Sequence, residues 1–193
     1  MTFTNLPPSA AWAHRDARRG FETVFFATDG STHHIGGHTA AVEEGSAWAV
    51  RYAIVADELW HTREARIWGR SAHAEREVLL TSDGSGHWQV DGAAVTALDG
   101  CLDVDLESSA CTNTLVVRRL RLALDAAAEA PAAYVRALDL TVERLEQHYV
   151  RVADESNHQR YDYRAPAFDF ACRLVYDASG LVLEYPGIAT RIL

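Results

Sequence analysis

Apolar and polar residues alternate with a period of two along most of this chain. In WAVRYAIVA (48–56), Trp48, Val50, Tyr52 and Ile54 share one side, and Ala49, Arg51 and Ala53 the other. AFDFACRLVYD (167–177) places Phe168, Phe170, Cys172, Leu174 and Tyr176 together, opposite Asp169, Arg173 and Asp177. Such segments read as strands with one face on a core and one in water. The second runs through DASG (177–180) into LVLEY, a hairpin with Gly at its turn. EVLLTSDGSGHWQVDG (77–92) reads as strand, glycine-rich turn and strand, and FETVFFAT (21–28) and HTAAVEEG (38–45) are shorter strands. YVRALDLTV (134–142) puts Tyr134, Arg136, Leu138, Leu140 and Val142 on one side.

Helical signals are sparse. DAAAEAPAA (125–133) is rich in Ala but contains Pro131 and is expected to fill a loop; ERLEQHYVRVADE (143–155) could hold two helical turns. About a dozen short strands with one or two short helices predict a mostly β fold, an antiparallel barrel or half-barrel whose edges must be closed or covered. The length of 193 residues fits one domain spanning 1–193.

The densest chemistry lies in DGCLDVDLESSACTNTLVVRRL (99–120). Alternation groups Leu102, Val104 and Leu106 against Cys101, Asp103, Asp105 and Glu107. Asp103 and Asp105, about 6.7 Å apart along a strand, are expected on the solvent face of an ordinary amphipathic strand, with an acid–base pair the rival reading. Read as a strand, TLVVRRLRLAL (114–124) groups Val116, Arg118, Leu120, Leu122 and Leu124, with Arg119 and Arg121 opposite. Arg118 then interrupts an aliphatic face. It either pairs with a nearby acid, Asp103 or Asp105, or lines a cavity and holds an anionic or polyhydroxyl head group, with Arg119 beside it. Asn113, in TNT at the entry of that segment, is a turn residue or a ligand contact. Tyr149, Tyr161, Tyr163, Tyr176 and Tyr185 recur late; aromatic rings with polar tips fill barrel interiors and also line sugar and lipid sites.

Composition excludes other classes. The net charge is −9 and all 18 basic residues are Arg, which argues against nucleic acid and anionic membrane surfaces as partners. No stretch approaches the ~20 apolar residues of a membrane-spanning helix. The N-terminus lacks the apolar core of a signal peptide, so a cytoplasmic location is expected. Cys101, Cys111 and Cys172 lack metal-type spacing and are expected as reduced, mostly buried thiols. His33, His34 and His38 in STHHIGGH are expected in a solvated loop rather than at a metal, because no acid or Cys completes a ligand set. The serines lack a GxSxG context, and no glycine-rich phosphate loop is present. No cofactor is implied.

Four stretches together resemble the bacterial family described as "Putative glycolipid-binding", formerly a family of unknown function. They are WAVRYAIVADELWHTREARI (48–67), LDGCLDVDLESSACTNTLVVRRLRL (98–122), QHYVR (147–151) and RYDYRAPAFDFACRLVYDASGLVLEYPGIATRI (160–192). The chain departs from the family pattern at Ser109, Ala110 and Cys111, and at Leu115, Val116 and Val117, where the family has Leu-Pro-Ile. The resemblance implies a barrel or half-barrel similar to lipoprotein carriers of lipids. The leading expectation is therefore non-enzymatic binding of an amphipathic, glycolipid-like ligand in a curved-sheet cavity of at least ~300 Å³. The expected contacts are Asp103, Asp105, Asn113, Arg118, Arg119, Tyr149, Tyr161, Tyr163 and Tyr185. The alternatives are a hydrolase on a sugar or ester using Asp103 and Asp105, and a ligand-free protein with a buried Arg–Asp network.

Overall fold

The computed structural model describes residues 3–193. The first part of the chain forms β1 (Ser9–His14), β2 (Arg19–Asp29), β3 (Thr32–Glu43), β4 (Ser46–Ala56), β5 (Thr62–Ser71), β6 (Glu75–Ser82), β7 (Trp88–Val90) and β8 (Ala93–Ala94). The middle holds β9 (Asp103–Leu106), α1 (Asn113–Leu120), β10 (Ala127–Glu129), β11 (Ala132–Val135) and β12 (Val142–Leu145). The chain ends with β13 (His148–Glu155), β14 (His158–Ala165), β15 (Phe170–Tyr176), β16 (Val182–Tyr185) and β17 (Ala189–Arg191).

Fourteen strands make one sheet in the order β10-β13-β14-β15-β16-β17-β1-β2-β3-β4-β5-β6-β7-β8, and β12-β11-β9 make a second. The two ends of the chain meet in the middle of the large sheet. There β1 pairs antiparallel with β17, Trp12 opposite Arg191, and the Trp12 indole donates to the Val182 carbonyl at 2.8 Å. Tight two-residue loops keep the meander regular. Glu44 and Gly45 join β3 to β4, and Ser156 and Asn157 join β13 to β14, with φ positive at all four, as the hairpin turns that match strand twist require.

The two arms of the large sheet bury their apolar faces on opposite sides of the small unit. Trp48, Val50, Tyr52, Ile54 and Ile67 of the N-terminal arm pack with Val104, Leu106 and Leu115. Tyr149, Tyr161, Tyr163, Leu174 and Tyr176 of the C-terminal arm pack with Val116, Val117, Tyr134 and Leu145. The sheet does not close into a barrel, because β8 and β10 at its edges pair with one neighbour each. These edge strands are two and three residues long, which limits the unpaired backbone they offer. The expected hollow is occupied by the chain's own β9, α1, β11 and β12. Pairing is not antiparallel throughout, since β9 and β11 run parallel.

Five local expectations are corrected. Residues 113–120 are helix, not strand. A short run of buried apolar residues has no period that separates helix from strand, and Asn113 to Arg118 are all buried, so packing on every side overrides the β preference of Val116 and Val117. Residues 134–142 are two strands joined by a turn in which Leu140 has φ 56°, and Leu138 is exposed. Residues 143–155 hold no helix but the strands β12 and β13, broken at Glu146 and Gln147, and parts of 125–133 are strand as well. The STHHIGGH segment lies within β3 rather than in a loop, and among the described residues no group of His, Cys, Asp and Glu is arranged to hold a metal. All three cysteines are free, with Cys101 and Cys111 buried and Cys172 half-buried.

Gly37 is required by packing. A Cβ at this position falls 2.1 Å from Cζ of the buried Tyr52 ring, whereas one at Gly36 meets nothing within 4 Å. Gly37→Ala is therefore expected to lower the free energy of unfolding by about 1–3 kcal/mol, with Gly36→Ala near neutral. Urea unfolding of the two variants checks this.

Candidate functional site

Three carboxylates are buried, and each is satisfied differently. Glu22 sits on the buried side of β2 with Val24. It accepts hydrogen bonds from the Tyr52 hydroxyl at 2.6 Å, the Ala110 amide at 2.9 Å and the Ser109 hydroxyl. Burial raises its pKa, and those hydrogen bonds pull it partly back. Asp103 on β9 accepts from Arg119 Nε at 3.0 and 3.1 Å and from Arg119 Nη2 at 2.5 Å. Asp105, two residues on, accepts from the Thr112 hydroxyl at 2.7 Å and the Gln147 amide at 2.6 Å. Burial raises the pKa of both aspartates, opposed by Arg119 at Asp103 and by the Thr112 and Gln147 hydrogen bonds at Asp105. The expected solvent-facing position of the DVDL carboxylates is thus overturned. β9 is the edge of the small sheet, yet α1 covers one side of it and the sheet arms the rest.

Asp105 also reaches a cleft of about 200 Å³ between the small unit and the C-terminal arm. Tyr163, Phe170 and Tyr185 meet there edge to face, with ring centroids 6.0–6.2 Å apart. Tyr134 and Phe168 form a second aromatic pair at 5.5 Å, and the Arg136 guanidinium lies over both rings at 5.3 and 5.1 Å. Arg18 enters from the other side, donating to the Glu107 carbonyl at 2.7 Å and lying 3.6 Å from Glu43. Asn113 at the start of α1 lines the floor, its Oδ1 accepting from the Tyr149 hydroxyl at 2.8 Å.

Four of the nine expected contacts, Asp105, Asn113, Tyr163 and Tyr185, therefore line one cleft. Tyr149 is completely buried behind it. Tyr161 lines another cleft of about 310 Å³ beside Arg151. Asp103 and Arg119 form an ion pair with side-chain exposures of 0% and 12%. The acid partner expected for Arg118 belongs to Arg119 instead, because a helix turns successive residues by ~100° and only Arg119 faces β9. Arg118 donates to the carbonyls of Thr4 and Ser179. Sequence reasoning missed Arg18, Glu22, Ser109, Tyr134, Arg136, Phe168 and Phe170 as neighbours of the site. Glu22 carried a signal, since alternation in FETVFF puts it on the face of Val24 and Phe26.

The family described as "Putative glycolipid-binding" matches residues 9–191. The chain belongs to that family. A crystal structure of a DUF1089 family protein from Pseudomonas aeruginosa is 30% identical, covers 100% of this chain and 97% of its own, and superposes with a TM-score of 0.73. No protein of curated function matches. Among the described residues of this family member no helix is long and apolar enough to cross a membrane.

Two outcomes follow from the buried charges. Arg119→Met leaves Asp103 enclosed without its partner and is expected to cost about 3–5 kcal/mol, while Asp103→Leu combined with Arg119→Met recovers most of it; denaturant unfolding of the single and double variants measures the difference. For Glu22, the folded pKa lies above the unfolded value of about 4.3. Its contribution to stability is then complete below that pH and is lost as pH rises through the folded value. His14, lowered to about 4 by burial and by Arg18, acts in the opposite direction and is common to both proteins. The wild type minus Glu22→Gln difference in unfolding free energy is therefore expected to move against the wild type as pH rises above about 4.3; unfolding curves at increasing pH test the slope.

Proposed function

We propose that the protein binds the sugar-like head of an amphipathic molecule in the aromatic cleft and does no chemistry on it. One observation carries this reading: five aromatic residues, two acidic residues, an asparagine and two arginines line a single opening. Aromatic planes take the C–H faces of a sugar ring while their hydroxyls bond its rim. Asp105, Asn113 and Arg136 supply an acceptor, an amide and a planar donor fork for hydroxyl groups. The cleft is smaller than the ~300 Å³ usual for a whole small-molecule ligand, so it suits one ring and leaves an apolar tail outside. The family description supports a glycolipid as the source of that head.

The hydrolase alternative loses its partner residue, because Asp103 is held by Arg119 and lines none of these clefts. The ligand-free network describes that ion pair well but not the half-exposed aromatic wall of Phe168 and Phe170. Phe168 is 41% exposed and Arg136 stands at the mouth, so both can be truncated without opening the core. Calorimetric titration with octyl glucoside is expected to show saturable binding, weakened at least about tenfold by Phe168→Ala and by Arg136→Ala, or ~1.4 kcal/mol each. Absence of binding, or binding untouched by either change, rejects the proposal. Native mass spectrometry of protein purified from its own host identifies a co-purifying glycolipid.

A further inference from the structure

Arg118 and Arg119 are neighbours on the last turn of α1 and are treated in opposite ways. Arg119 has its carboxylate. Arg118 is only 9% exposed, and among the described residues its side chain bonds to carbonyls alone. Nη1 donates to Thr4 at 3.1 Å and to Ser179, and Nη2 to Thr4 at 3.2 Å. Its Nε is enclosed and donates to nothing. The acid that acts on it, Asp177, is already bonded to Arg191. An enclosed cation without a counter-ion is costly, and burial lowers its pKa to about 10.

This guanidinium borders a cleft of about 420 Å³ whose other walls include Leu6, Pro7, Pro8, Phe26 and Trp60. That volume falls within the ~300–1,000 Å³ of small-molecule sites. Trp60 stands between two partners, with Arg118 4.2 Å from its ring centroid and His33 stacked at 3.9 Å. Its backbone has φ 68°, an uncommon conformation for a bulky residue. The Asp57 carboxylate holds the turn by accepting from the amides of Leu59 and His61 at 2.9 and 3.0 Å. The cleft thus joins one uncompensated positive charge to an apolar, proline- and aromatic-lined trough. It shares no lining residue with the aromatic cleft.

We propose that this cleft is a second ligand site, specific for an amphipathic anion. A carboxylate or phosphate head would meet the accessible edge of the Arg118 guanidinium, and an apolar chain would lie along Leu6, Pro7, Pro8 and Phe26. The planar fork of Arg suits either head, and a charge-assisted hydrogen bond in an enclosed site is about twice as strong as a neutral one. The site does not rest on the sugar-binding reading, and either can fail alone.

The test uses decanoate as probe, with decanol supplying the chain without the charge and acetate the charge without the chain. Calorimetry is expected to show decanoate bound at least about tenfold more tightly than either control, a gap of ~1.4 kcal/mol or more. Arg118 also ties the N-terminal segment and the 177–180 turn to α1, so its removal risks the fold. Ala27→Glu avoids this: Ala27 is exposed on β2, lines the same cleft, and would carry a repelling carboxylate. This variant is expected to keep its unfolding midpoint and lose at least about tenfold in decanoate affinity, while Phe168→Ala in the other cleft changes nothing. Equal binding of decanol and decanoate, no binding at millimolar decanoate, or loss through Phe168→Ala but not Ala27→Glu overturns the proposal.

Discussion

The pairing of Arg119 with Asp103 is the constraint on which the interior depends. An eight-residue helix is too short to hold itself together in water, so α1 takes its position from what it packs against. The Arg119 fork clamps it to β9 from one side. Once that is done, Leu115 faces the N-terminal arm, Val116 and Val117 face the C-terminal arm, and Arg118 leaves toward Trp60. A hydrophobic contact would hold the helix as firmly, but it is non-directional. A two-pronged ion pair fixes rotation about the helix axis, and this decides which side chains reach which cleft.

The same economy governs the other buried carboxylates. A sheet that wraps its own chain must supply partners for every polar group it encloses. Glu22 holds the 109–111 loop through Ser109 and the Ala110 amide, and Asp105 holds the next turn through Thr112. These contacts tie the loop between β9 and α1 to β2 and to β9. The aromatic cleft and the trough beside Arg118 both lie at the margins, where the small unit meets the C-terminal arm and where the N-terminal segment crosses the sheet. A lipid carrier with an open barrel holds its cargo in the middle; this fold has spent the middle on itself.

Much of the frame was legible in the sequence. Period-two alternation placed β4, β6 and β15 and the faces that Trp48, Tyr52 and Leu174 bury, because a half-buried sheet leaves that signature in its strands. The pattern failed where both sides of an element are covered. Residues 113–118 offer no polar face to set a phase, and Leu-Val-Val reads as strand by composition. The same failure misplaced the acids: Asp103 and Asp105 alternate with Val104 and Leu106 as a solvent face would, yet Arg119 of α1 and Gln147 cover the far side of β9. Alternation reports a change of polarity across a strand, not which side holds water. Of the site, Asp105, Asn113, Tyr163 and Tyr185 were within reach of sequence reasoning, whereas Tyr134 and Arg136 arrive through the parallel pairing of β9 with β11, and Arg18 through its bond to the Glu107 carbonyl.

The contrast between Arg118 and Arg119 bears on what the fold is for. A buried ion pair is about as stabilising as well-packed apolar residues of the same volume, so Arg119 needs no reason beyond orienting the helix. Arg118 is different. A Leu or Met could fill its place without an enclosed, half-satisfied cation, and the two carbonyls it ties could be met by water or a neutral donor. A charge retained where packing alone favours an apolar residue points to something that completes it. Trp60, itself stacked on His33, covers one face of the Arg118 guanidinium, so an anion completing that charge would approach its edge rather than that face.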